Sequence, residues 1–128
     1  MTTYLATSIN ESPVIVDKAG AVLADVRGRA VKFDENGKFA MAGAGEAVVG
    51  VGIMTNDVNI QPEQDVHVQI KDIGLVYAGA AIKKGNELAA GADGAMVPAT
   101  SGAVCAIALE AAEAAGVYIK ARLVSYYK

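Results

Sequence analysis

Apolar and polar residues alternate along much of this chain, and the alternation predicts strands rather than helices. Val14 and Val16 alternate with Ile15 and Asp17 before Lys18-Ala19-Gly20 turns the chain. Val31 and Phe33 alternate with Lys32 and Asp34. Asp34-Glu35-Asn36-Gly37 then supplies residues that tolerate positive φ, which predicts a hairpin into Phe39-Ala40-Met41. Ala42-Gly43-Ala44-Gly45-Glu46 reads as a loop. Val49-Gly50-Val51-Gly52-Ile53 reads as a strand whose second face holds only Gly, so another backbone can come close. Thr55 to Asp65 is polar, contains Pro62 and reads as a connection. Val66, Val68 and Ile70 point one way and His67, Gln69 and Lys71 the other, as in a half-buried strand.

The same order then returns. Arg27-Gly28 matches Lys84-Gly85, Val31 matches Leu88, Asn36-Gly37 matches Asp93-Gly94 and Phe39 matches Met96, all at an offset of 57 positions. With short slips, Lys18 to Leu23 faces Tyr77 to Ile82, and Val49 to Ile53 faces Cys105 to Leu109. The closing alternating runs are Val66 to Ile70 and Val117 to Leu123. Two copies are too few for a solenoid, which needs about three repeats. The expected fold is therefore all-β: a small antiparallel barrel or sandwich of two pseudo-symmetric units, about 14–72 and 73–128, in one domain. Pro98 replaces Met41 in the second hairpin and predicts an edge strand, because proline cannot donate to a ladder. Ala103 to Ala115 is ambiguous, since Ala and Glu favour helix and Gly116 suits a C-terminal cap. The repeat favours a strand for Val104 to Leu109, leaving at most one short helical turn in Glu110 to Ala115.

Residues 1–13 differ from the rest. They carry Thr2, Thr3, Thr7, Ser8, Asn10, Glu11 and Ser12, with Tyr4, Leu5 and Ile9 as bulky apolar anchors. This is an N-terminal arm, either a frayed end or a flexible segment that orders on a partner surface.

Composition narrows the chemistry. The chain of 128 residues is 53 % apolar, but 25 of those residues are Ala and the aromatics are five Tyr and two Phe. The bulky core must come from Val, Ile, Leu and Met, and a thin core gains from packing against other subunits. The net charge is −3 with dispersed Lys and Arg, which argues against nucleic acid as a partner. Cys105 is the single cysteine, so neither an internal disulfide nor a multi-cysteine zinc site is expected. His67 is the single histidine and sits in an alternating strand, where a solvent-facing role is expected. No metal, cofactor or enzyme activity is expected, and Gly43-Ala44-Gly45 lacks the lysine of a phosphate-binding loop. Neither an export signal nor a membrane span is legible, so synthesis in a cytoplasm is expected.

Two resemblances follow from particular residues. Val16-Asp17-Lys18-Ala19-Gly20 looks like the Asp-Lys-Ala hairpin of lipoyl-carrier and biotinyl-carrier domains, which would make Lys18 the carrier lysine. Lys18, however, lies near the start of the chain rather than at a midpoint. The second resemblance covers about residues 73–124. Its motifs are Val76 to Leu88 with Lys84-Gly85-Asn86-Glu87, the Asp93-Gly94 turn, the small-residue run Ala103 to Leu109, and Val117 to Leu123. This order resembles the tailed-bacteriophage capsid decoration, or cement, proteins.

The resemblance implies a virion protein, made in the host cytoplasm, that binds the exterior of an assembled head and clips neighbouring major capsid subunits. It implies no catalytic residues and no cofactor. Self-association is expected, a trimer by analogy and a dimer as the other option. Tyr4, Leu5 and Ile9 are the expected shell-binding residues. A receptor-binding head protein is a further alternative, to which the scarcity of aromatics is opposed.

Overall fold

A computed structural model of the chain describes residues 12–128. The first unit contains β1 (Val14–Lys18), β2 (Leu23–Asp25), β3 (Ala30–Phe33), β4 (Phe39–Met41), β5 (Gly50–Gly52), β6 (Val58–Ile60) and β7 (Asp65–Gln69). The second contains β8 (Ile73–Tyr77), β9 (Glu87–Ala90), β10 (Met96–Pro98), β11 (Ala103–Ala108) and β12 (Tyr118–Tyr127). The architecture is all-β, built as a sandwich of antiparallel sheets rather than a closed barrel.

The first sheet runs β1-β7-β5-β3-β4 and the second β8-β12-β11-β9-β10, while β2 and β6 form a separate ribbon. Each large sheet thus places first strand beside last, then the middle strand, then the hairpin. The repeat survives in single hydrogen bonds. Gly20 N donates to Phe39 O at 2.9 Å, and Gly79 N donates to Met96 O at 2.7 Å. Gly28 N donates to Gly52 O at 2.7 Å, and Gly85 N donates to Ala108 O at 2.8 Å.

The expected hairpin forms between Phe33 and Phe39, with Gly37 N donating to Asp34 O and Gly37 at φ +75°. Asp34 Oδ1 accepts from the backbone N–H of Asn36 and of Lys38, which locks the turn. The glycine face of β5 is occupied as anticipated. A Cβ on Gly50 would stand 2.1 Å from Gln69 O, and one on Gly52 would stand 2.1 Å from Val26 O. Pro98 lies on β10, at an edge of its sheet.

Three expectations need correction. The stretch 55–65 is not a bare connection, because β6 pairs there with β2, placing Leu23 opposite Ile60. Both side chains are buried, and that burial outweighs the polar residues around them. The short helical turn falls at Ala92–Gly94, inside the second hairpin, and not in 110–115. Around Ala112 a backbone bridge to Ile82 holds the chain extended. Ile70, read as inward, is exposed because β7 ends at Gln69 and Ile70 N turns to Pro13 O.

The core is continuous across the units. Ala30, Ala42 and Val51 of the first pack with Val76, Leu88, Met96, Cys105 and Ile119 of the second. A smaller cluster of Leu23, Val26, Val31, Phe39, Ile60, Val66 and Val68 sits within the first. Backbone bonds from Tyr77 N to Gly28 O at 2.7 Å and from Gly45 N to Ala90 O at 2.9 Å join the units. Arg29 lays its guanidinium 4.2 Å from the Tyr77 ring centroid, and Tyr77 meets Tyr118 edge-on at 5.3 Å. Gly28 is needed at this seam, since a Cβ there would stand 2.8 Å from the Tyr118 ring.

Candidate interaction surface

Strand β8 is an edge strand, and its alternation puts Gly74 and Val76 inward while Ile73 and Leu75 face out. Ile73 is 60 % exposed and Leu75 is 42 % exposed. Met54, on the turn after β5, is exposed beside them. With Gly52, Ile53, Gln69, Gly74 and Lys120 these residues line an open groove of about 430 Å³. Gln69 shapes it: its side-chain amide donates to Lys71 O at 2.8 Å and to Ile73 O at 2.9 Å. It lies over Gly74, where a Cβ would come within 2.7 Å of its oxygen. An apolar trough along a sheet edge suits an extended or apolar partner segment.

A second depression is polar and holds the sequence candidates Lys18 and His67, with Asn56, Glu63 and Asp65. Lys18 ends β1, in the ladder opposite Asp65, and its amine sits 2.6 Å from Asp65 Oδ1. That bond raises the Lys18 pKa and lowers the Asp65 pKa. Lys18 therefore stands in a paired strand, unlike a carrier lysine on a free hairpin tip. Asn56 is buried beneath this site and organises it. Its Oδ1 accepts from His67 N at 2.9 Å, and its Nδ2 donates to His67 O and Ile53 O at 2.7 and 3.0 Å.

Cys105 lies apart from His67, buried in the shared core with its sulfur 3.4 Å from Met96 Sδ. Burial pushes its thiol up to about 12, which makes it a poor nucleophile. Among the described residues, no group of three or more His, Cys, Asp and Glu is placed to hold a metal ion. No helix among them is long and apolar enough to cross a membrane. The expected contact residues Tyr4, Leu5 and Ile9 lie outside the described residues.

The fold has a solved counterpart. This chain is similar to the N base of head fiber gp8.5 of bacteriophage phi29, with a TM-score of 0.66. The two are 23 % identical over 87 % of this chain and 92 % of that one, a likeness that establishes the fold. No protein-family model matches the chain, and neither does any curated protein.

Sequence reasoning did not single out Ile73, Leu75 and Met54. The signal was present in Ile73-Gly74-Leu75-Val76, a run apolar on both faces. Such a run is ordinary in a strand covered on both sides, and only its edge position makes the outer face available.

Proposed function

We propose that this protein is a structural component of a bacteriophage head, a decoration protein that binds the capsid exterior and bridges major capsid subunits. The observation that carries this reading is the shared fold with a protein described as part of a phage head fiber. It agrees with the decoration-protein resemblance of residues 73–124, reached from different features. The exposed apolar edge of β8 and the duplicated sheets supply surface for neighbours, while the titratable side chains are dispersed. In this reading Tyr4, Leu5 and Ile9 seat on the shell and the chain works as a small ring, a trimer in preference to a dimer. Multiple docking points hold firmly even when each is weak, because the first raises the effective concentration of the rest.

The test is co-sedimentation of the purified protein with mature capsids and with unexpanded procapsids, with its mass measured by light scattering. Selective pelleting with mature capsids is expected. A protein missing residues 1–12 should stay folded and fail to pellet. Undiminished pelleting of that truncation would remove the arm from the interface, and no pelleting of the full chain would reject the decoration role.

A further inference from the structure

The apolar groove of β8 lies where the N-terminal arm enters the fold. Pro13 O accepts from Ile70 N at 2.7 Å, and Val14 pairs with Gln69, a residue lining the groove. Eleven residues precede the described chain. Extended at about 3.3 Å per residue, they carry Ile9 roughly 10 Å and Leu5 roughly 23 Å from Ser12, enough to cover this trough. In an extended segment Leu5, Thr7 and Ile9 share one face, so its two aliphatic side chains point the same way. Charge agrees as well: Glu11 is the one charged side chain of residues 1–11, and Lys120 is the one charged side chain lining the groove.

We propose that residues 1–11 of the same chain fold back over this groove in the free protein, setting Leu5 and Ile9 against Ile73, Leu75 and Met54. The arm thereby covers the exposed edge before any partner is met. This goes beyond the shell-binding reading, and it concerns the protein without capsids. Its success or failure is therefore separate from that of capsid addition.

The experiment is limited chymotrypsin digestion of the full chain, following cleavage after Tyr4 and Leu5 by mass spectrometry. Leu75→Lys charges the groove at an exposed position, and Ile9→Asp alters the arm while leaving residues 12–128 unchanged. Each should raise the cleavage rate about tenfold, the loss that about 1.4 kcal/mol of docking free energy would produce. Circular dichroism melts check that both variants are folded. Equal rates in the wild type and Ile9→Asp would overturn the proposal, whatever Leu75→Lys does to folding. The wild-type rate is also compared across a hundredfold dilution. An unchanged rate is expected, whereas protection lost on dilution would assign the groove to the arm of a second copy and overturn the same-chain assignment.

Discussion

Replacing Gly52 with alanine would place a Cβ 2.1 Å from Val26 O, 2.8 Å from Val26 C and 2.9 Å from Val26 Cγ2. Carbon and carbonyl oxygen settle at about 3.3 to 3.6 Å, so the Val26 carbonyl must retreat by roughly 1.2 Å. It is poorly placed to do so. Val26 is fully buried, and its carbonyl accepts from Arg29 N at 3.1 Å. Gly52 is itself pinned, donating to Arg29 O at 3.1 Å and accepting from Gly28 N at 2.7 Å. Overpacking costs about 1 to 3 kcal/mol, and each buried backbone bond broken adds about 1 to 3, so a loss of roughly 3 to 5 kcal/mol is expected.

Gly37→Ala is the comparison that isolates the other cost of losing a glycine. Gly37 has φ +75° and nothing within 4 Å of its added Cβ, so its substitution costs only the left-handed conformation, about 1 to 2 kcal/mol. With an unfolding entropy of about 2.1 cal/mol/K per residue, Tm should fall by roughly 11 to 19 °C for Gly52→Ala and 4 to 7 °C for Gly37→Ala. Calorimetry and urea melts read both. A Gly52→Ala variant no less stable than Gly37→Ala would refute the claim that close backbone approach fixes this glycine.

Leu88→Ala removes a fully buried side chain from the core shared by the two units and should lower stability by about 3 kcal/mol, read as a reduced urea midpoint at unchanged slope. Cys105, its thiol held near 12 by burial, should label with a disulfide reagent at pH 8 only as fast as the protein opens. Rapid labelling in native buffer would contradict that. Acid should destabilise the fold. Asp65 is held below its usual pKa by its bond from Lys18, Asp25 by Arg27, Asp34 by the Lys38 backbone N–H, Glu46 by Lys32, and Glu87 by Lys128. A folded pKa below the unfolded one contributes stability above the unfolded value, and that stability is lost as pH falls through the folded value. Tm should accordingly hold steady near pH 6 and decline below about pH 4. Substituting Asp34 with Asn should remove part of that decline, and a Tm that rises on acidification would contradict the assignment.

What could be read in advance was what local chemistry dictates. Asp34-Glu35-Asn36-Gly37 announces its turn because few residues accept positive φ, and the glycine face of β5 announces a close neighbour. The offset of 57 positions carried the frame of one sheet to the other. The ribbon of β2 and β6 was hidden because its evidence is nonlocal: Val58-Asn59-Ile60 is too short to show a period, and only Leu23 opposite it explains the buried Ile60. Asn56 was hidden for the same reason, since its partners Ile53 and His67 come from either side of β6. The groove was illegible because alternation says which residues share a face, and nothing in 73–76 says that its sheet ends there.

The duplication gives that exposed edge a wider meaning. Ala19 bridges to Phe39 as Ala78 bridges to Met96, and this equivalence sets Val14 on Ile73 and Val16 on Leu75. Val16 lies opposite His67 in β7, and Leu75 lies opposite Lys120 in β12. Each unit therefore turns outward the same arrangement, an aliphatic residue on an edge strand with a basic side chain across the ladder, and Val16 is 52 % exposed where Leu75 is 42 %. Edge strands that remain in water are ordinarily blunted by charge on the strand itself. Lysine or threonine at 16 and 75 would keep the ladders intact and remove the hazard, so aliphatic residues at both places carry a cost in solubility for as long as the edges stay in water. The return comes only when the edges are covered, at about 25 cal/mol for each Å² of apolar surface removed from water. Two such edges, related by one internal repeat, leave the protein two apolar surfaces to cover, and the proposed arm reaches the one at β8.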